Sequence, residues 1–235
     1  MIRTGTLTLF ILAFVASVAA ATSDLIIRER ITGGPGAAHE EMVYISGTKR
    51  VTDNPQMRTI VDAGAKTLTI VDKQKQTYSV RTFDEILQQV EAMKKHLEGL
   101  PPEMKKMMPA NAPVTVRPTG KTEKIAGYVA REYELEGGPM KGTIWAAESL
   151  DVAGAEAWKK LAGSIGGPHQ PGAQVAEAMS KIKGLPLRTS MTMAMGPSKT
   201  TFVTEALEIK EESPPPDVLT VPQGFKKVEP AAFGH

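Results

Sequence analysis

The sequence predicts an α+β protein: an antiparallel sheet with helices packed on one face. Three observations carry that expectation. Short runs rich in Val, Ile and Thr recur at close spacing between polar turns, as a strand meander requires. One stretch near residue 83 switches from a period of two to the helical period. Strand patterns then return on both sides of the helical stretches without alternating singly with them, which argues against a doubly wound nucleotide-binding fold.

Leu25 to Thr32 (LIIRERIT) is the first strand, followed by the turn GGPGAAHEE. Met42 to Lys49 (MVYISGTK) is the second, with Gly47 as a bulge or turn, and RVTDNPQ turns after it. Met57 to Asp62 is the third. TLTIVDKQKQTYSV, from Thr67, supplies two more strands around a charged turn. Leu68 and Ile70 alternate with Thr67 and Thr69, and Tyr78 and Val80 with Thr77, Ser79 and Arg81, so this hairpin is expected to carry one oily face and one polar face.

Phe83, Ile86, Leu87, Val90, Met93 and Leu97 form the apolar stripe of an amphipathic helix. Thr82 and Glu85 have capping-box spacing at its start. Gly99 suits its end, and Pro101-Pro102 forbids continuation. The segment GLPPEMKKMMPANAP keeps Leu100, Met104, Met107 and Met108 and reads as an excursion, not a free linker. Strands resume at Val114 to Val116, continue as two in KTEKIAGYVAREYELEGG and as another in MKGTIWAAE, with Ile144 and Trp145 near its end. Asp151 to Ile165 and Pro171 to Lys183 are Ala-rich and read as helices. Leu187 to Met195 and Thr200 to Lys210 close the sheet. EESPPPDV is expected to be extended, and Phe225 and Val228 to tuck against the sheet.

Residues 1–21 read as a secretory signal peptide: Arg3, an apolar run from Leu7 to Val18, then Ala19-Ala20-Ala21 at the cleavage point. The run is too short for a comfortable membrane span. The mature chain is therefore expected in the periplasm or outside the cell, without a transmembrane segment. Residues 22–235 read as one domain, with helical insertions near 83–108 and 151–183. The absence of Cys removes disulfides, thiolate nucleophiles and Cys-based zinc sites. Lys and Arg number 28 against 26 Asp and Glu, a balance that argues against nucleic-acid binding.

The stretches YISGTKRVTD, TLTIVDKQKQTYSV and TEKIAGYVAREYEL followed by GTIWAAESL, with Gly127-Tyr128 before a strand and Trp145 at a strand end, resemble an uncharacterised exported bacterial family of domains of unknown function. That family is similar in architecture to periplasmic lipoprotein carriers. The resemblance implies an incomplete, strongly curved half barrel with helices on its concave side and an apolar concavity for acyl chains. It brings no catalytic residue. No residue here matches the Arg that those carriers hold inside.

Candidates for chemistry are few. His39 sits beside Glu40 and Glu41 in a loop, where neighbours rarely converge on one ion; His96, His169 and His235 have no ligand spacing around them. Ser164 in GSIGG lacks the nucleophile elbow, and GGPG at 33–36 lacks the Lys of a phosphate loop. No enzyme is expected, and no cofactor. The most specific feature is SMTMAMG, in which Met191, Met193 and Met195 share one side of a strand. Thioethers suit an adaptable apolar surface, ordinary core, or Cu(I). With twelve Met and 5% aromatics, the inner face is expected to re-pack around an apolar or acyl-chain ligand, lined by Met191, Met193, Met195, Leu68, Ile70, Tyr78 and Trp145. The expectation is an exported, non-enzymatic binding protein. The alternative is a structural or protein-interaction module with a filled core, and copper binding is a distant third.

Overall fold

Four-residue turns set the geometry of the amino-terminal half. In the computed structural model, which describes residues 24–33, 37–99, 101, 114–137, 140–150, 152, 178–195 and 198–230, Asp62 Oδ1 accepts from the amides of Gly64 and Ala65, and Asp72 Oδ1 from those of Gln74 and Lys75. Lys66 and Gln76 close these turns with φ of 53° each. The two turns follow the same words, TIVDAGAKT and TIVDKQKQT. A side-chain oxygen that caps two turn amides holds the backbone in the turn without help from the core.

Six strands follow one another as a meander: β1 (Leu25–Gly33), β2 (His39–Ser46), β3 (Lys49–Asp53), β4 (Met57–Asp62), β5 (Thr67–Asp72) and β6 (Thr77–Thr82). The helix α1 (Phe83–Glu98) comes next, then a second meander: β7 (Thr115–Ile125), β8 (Tyr128–Gly137), β9 (Met140–Ala147), β10 (Leu185–Met195) and β11 (Ser198–Lys210). A short β12 (Lys226–Lys227) pairs in parallel with β6. Among the described residues these make one curved, unclosed sheet in the order β12-β6-β5-β4-β3-β2-β1-β11-β10-β9-β8-β7. Among the described residues the strand pairing joins the two meanders through β1 and β11, where Ile26 pairs with Lys210 and Gly33 with Phe202.

Two sequence expectations change here. Met42 to Lys49 is not one strand: Gly47, with φ of 55°, turns the chain, and Lys49–Asp53, with Arg50 to Asp53 expected as a turn, is β3. The prolines of EESPPPDV do not exclude all helix. Residues 213–215 are extended, and Pro216–Leu219 forms a 3-10 turn with proline at its start, where its missing N–H costs nothing.

Cross-strand partners share a face, so the register assigns every side chain. One face carries Leu25, Ile27, Val43, Ile45, Val61, Leu68 and Ile70. α1 lies on this face, with Ile86 fully buried against Leu68 and Phe83 packed beside it. Its capping box forms as expected, Glu85 taking the Thr82 amide and Thr82 Oγ1 the Glu85 amide. Arg81 adds a 2.6 Å hydrogen bond to Gln89. Leu87, expected in the buried stripe, is 41% exposed, because the docked face centres on Phe83, Ile86 and Gln89. In the second meander, Ala178 and Ile182 cover the same face over Tyr133, Leu135 and Ile144. Of the helices expected over 151–165 and 171–183, only Val152, which is buried and not helical, and residues 178–183, helical through 180, are among the described residues.

Over β3 to β6 the opposite face of the first meander is covered by the carboxyl-terminal segment. Val51 and Val71 are fully buried there, and Ile60 nearly so. Arg58 anchors the strap. Its Nε and one terminal nitrogen donate to the Asp53 carboxylate at 2.9 and 3.3 Å, and the other donates to the carbonyls of Asp217 and Thr220 at 3.0 and 3.1 Å. Burial pushes the Asp53 carboxyl up, but hydrogen bonds from Arg58 and Lys73 more than offset it and hold it below the usual carboxylate range. Beyond the strap, the amides of Lys226 and Val228 donate to the carbonyls of Gln76 and Tyr78. Val228, expected to tuck in, is 44% exposed; its backbone makes the contact instead.

Two expected outcomes follow. Ile86→Ala removes a buried side chain between helix and sheet and should cost about 2–4 kcal/mol by urea denaturation, whereas Leu87→Ala should stay within about 0.5 kcal/mol. Equal costs would contradict this docking of α1. Arg58→Met leaves Asp53 buried beside Lys73 alone and frees two strap carbonyls, for about 3 kcal/mol. Limited proteolysis should then cut within residues 211–222 before any other site; an unchanged digestion pattern would show that Arg58 does not hold the strap.

Candidate functional site

The methionine row lies on the face of the second meander that Ala178 and Ile182 cover. On β10, Met191 sits across from Gly142 on β9 and Phe202 on β11, and Met193 across from Met140 and Thr200. Gly142 is required here: a Cβ on it would collide with the Met191 sulfur and with the Ser190 carbonyl oxygen. Its bare backbone lets the thioether of Met191 lie flat across β9. Met140 is buried, Met191 and Met193 are half-buried, and Met179 packs against the same cluster. Met140, Met179 and Met191 thus pack with Tyr133, Leu135 and Ile144, and Met193 extends the row beside Met140. Met195 continues the row in register with Ser198; its side chain lies outside the described residues. Sequence reasoning missed Met140 and Met179, which join the row only through strand pairing and the fold of the 178–182 segment.

The other expected ligand-lining residues do not join this row. Leu68 is 4% exposed and roofed by Ile86, and Ile70 packs in the same small cluster, with five strands between β5 and β10. Tyr78 pairs with Val71 and Trp145 with Arg188, which places both on the opposite face. The oily face expected for the β5–β6 hairpin is therefore divided: Leu68 and Ile70 face α1, and Tyr78 and Val80 face away from it. The reason is register. A four-residue turn pairs Leu68 with Arg81 and Val71 with Tyr78, so the two apolar sets fall on opposite sides.

The face that carries Trp145 is charged. Arg188 on this face bridges Glu205 and Glu123 at 2.7 to 3.0 Å, and Arg28 and Arg30 share Glu40 at 3.1 Å. A shallow groove of about 440 Å³ runs between Arg117, Glu134, Glu136, Lys141 and Thr192. Its cations are already neutralised, Arg117 by Glu134 and Lys141 by Glu136. His39, Glu40 and Glu41, read as loop residues, lie instead on β2, where strand alternation sends Glu40 to Arg28 and Arg30, away from His39 and Glu41. Among the described residues no three His, Cys, Asp or Glu side chains converge as metal ligands.

One polar group stands inside the apolar face. Glu29 on β1 lies directly across from Glu41 on β2, on the side that carries Ile27 and Val43. It is 7% exposed, and among the described residues no hydrogen bond or ion pair satisfies its carboxyl. Burial pushes the Glu29 carboxyl up, with Arg50 pulling it down and Glu41 adding to the rise. Burial raises Glu41 as well, against Asn54 and Arg50. A bulge in the β1–β11 pairing falls between Arg28 and Glu29. No sequence signal marked Glu29, because RER in a strand reads as a solvated face.

Comparison with known proteins places this geometry in a family. Residues 36–225 match the family described as Domain of unknown function (DUF4412), and the chain belongs to it, as the resemblance in the sequence implied. No curated protein matches the chain. Among solved structures it is similar to PNGF-II in a C2 crystal form, at 14% identity and a TM-score of 0.45, over 89% of this chain and 31% of that one. It is also similar to MucB, at 10% identity and a TM-score of 0.41, over 87% of this chain and 59% of that one. A LolA-superfamily protein from Nitrosomonas europaea matches at 9% identity and a TM-score of 0.29, over 85% of this chain and 91% of that one. The chain therefore spans about a third of PNGF-II and about three fifths of MucB.

The raised carboxyl has a pH signature. A carboxylic acid whose folded pKa exceeds its unfolded one binds protons more tightly when folded, so its contribution is complete below the ordinary carboxylate range and is lost as pH rises through the folded value. Glu29→Gln removes that loss. Its stability relative to the native chain should grow from pH 4 towards neutrality in denaturation curves; a difference that does not change with pH would contradict the burial of Glu29.

Proposed function

We propose that this is an exported, non-enzymatic binding protein that holds an apolar ligand on the methionine-bearing face of its second meander. That face is inferred to be the concave side of the curved sheet. The observation that supports the reading is the half-buried row of Met191 and Met193 beside buried Met140, with Gly142 clearing space for a thioether. Methionine has three rotatable bonds and a polarisable sulfur, so a row of them adapts to ligands of varied shape where a rigid core would not. The β4–β6 part of the first meander is a poor host, because α1 packs on one of its faces and the carboxyl-terminal strap crosses the other. The apolar part of the ligand is therefore placed on β9, β10 and the segment around Met179.

The test uses purified mature protein stripped of co-purified lipid. An uncharged apolar fluorophore such as N-phenylnaphthylamine should bind saturably and be displaced by a long-chain alcohol. Met193→Glu should abolish binding while the unfolding midpoint moves little, because a carboxylate facing an open site keeps its water. If the face is closed core, the wild type should not bind the probe and Met193→Glu should collapse, since it buries an unpaired charge. That outcome would leave a filled interaction module as the reading.

A further inference from the structure

We infer that the ligand carries a cationic amine, held by the paired carboxyls of Glu29 and Glu41; this rests on the apolar-ligand reading above and names the ligand's head group. The argument starts from what is missing around Glu29. It is more than nine-tenths buried, yet among the described residues nothing donates a hydrogen bond to it. A buried carboxyl without donors is costly, and an ammonium group would supply both the donors and the counter-charge. Glu41 stands directly opposite on the neighbouring strand, so one ammonium can reach both carboxyls.

The charges that face this pair are Arg50 on β3 and His39 on β2; on β11, Ala206 and Thr204 are neutral. Arg50 donates to Thr52 Oγ1 at 3.2 Å and makes no ion pair within 4 Å to either carboxylate among the described residues. With both carboxyls ionised, the group has one negative charge in excess of Arg50. One added monocation balances it.

The position also fits the methionine row. On β1, Gly33 lies on the same face four residues beyond Glu29, and Phe202 and then Met191 lie across from Gly33 on the next two strands. Strand rise and strand spacing put Met191 about 16 Å from Glu29. A single extended alkyl chain spans that distance, with its head at Glu29 and its tail on Met191 and Met193. Ile31 and Thr204 lie between them on the same face.

Three probes with one chain length test the head group: dodecylamine, dodecanol and dodecanoate, each displacing the uncharged fluorophore below its micellar concentration. Dodecylamine should bind about tenfold or more tighter than dodecanol, as expected for a charge-assisted contact. Glu29→Gln should erase that preference and leave dodecanol affinity in place. Glu41→Gln should reduce it, which keeps the test open if Glu29→Gln does not fold by circular dichroism. Equal binding of amine and alcohol, or tightest binding of dodecanoate through Arg50, overturns the head-group assignment and leaves the apolar site standing. If none of the three binds folded wild-type protein, both readings fall together.

Discussion

The pairing of β1 with β11 is the constraint on which the rest depends. Every other antiparallel neighbour in the sheet joins strands consecutive in the chain or close to it, whereas this ladder joins Ile26 to Lys210. Local hairpins cost little loop entropy; closing a loop of this length costs more, and the contacts it makes must repay it. The repayment is visible in the largest core cluster, which gathers Leu25, Ile27, Val43 and Ile45 from the first meander with Ile125, Ala130, Leu150 and Leu185 from the second. Without that ladder the chain is two separate ribbons. With it, the polar pair on β1 and β2 and the methionine row on β10 belong to one surface.

The two halves of the sheet are finished differently. The β4–β6 end of the first is covered on both sides: by the capped α1 on one and by the strap locked by Arg58 on the other. Arg58 suits this task because a planar guanidinium serves a carboxylate and two carbonyls at once. The second half is capped on one face by Ala178, Met179 and Ile182 and bears ion pairs on the other. Adaptable side chains gather in this second half, beside a rigid cluster that can hold the backbone still while thioethers move.

Glu29 shows how one residue departs from the pattern around it. The strand face it shares with Ile27 and Val43 is apolar, and hydrophobic burial there stabilises the fold. A carboxyl in that place works against folding unless it is protonated or partnered. Arg28 and Arg30, its neighbours in the chain, point to the other face and pair with Glu40. The contrast within three residues reflects the two-residue period of a strand and nothing in the local composition.

Most strands and α1 were legible in the residues, because they depend on local propensities: alternating Val, Ile and Thr, polar turns, and the Thr82–Glu85 cap; β3, short and flanked by turns, was not. Membership in a domain-of-unknown-function family was legible too, through short structural words that the family shares. Which face each strand presents was not. TIVD occurs twice, ten residues apart, and one six-residue strand plus one four-residue turn reverses its sides: Val61 stands on the α1 side and Val71 on the strap side. The same loss of parity separated Tyr78 from Leu68 and Trp145 from Met191. Only pairing register, fixed by turn length and by the bulges at Glu29 and Arg188, decides the faces. Leu87, Glu29 and Met140 found their environments the same way, since burial belongs to the packed neighbours of a residue and not to the residue itself.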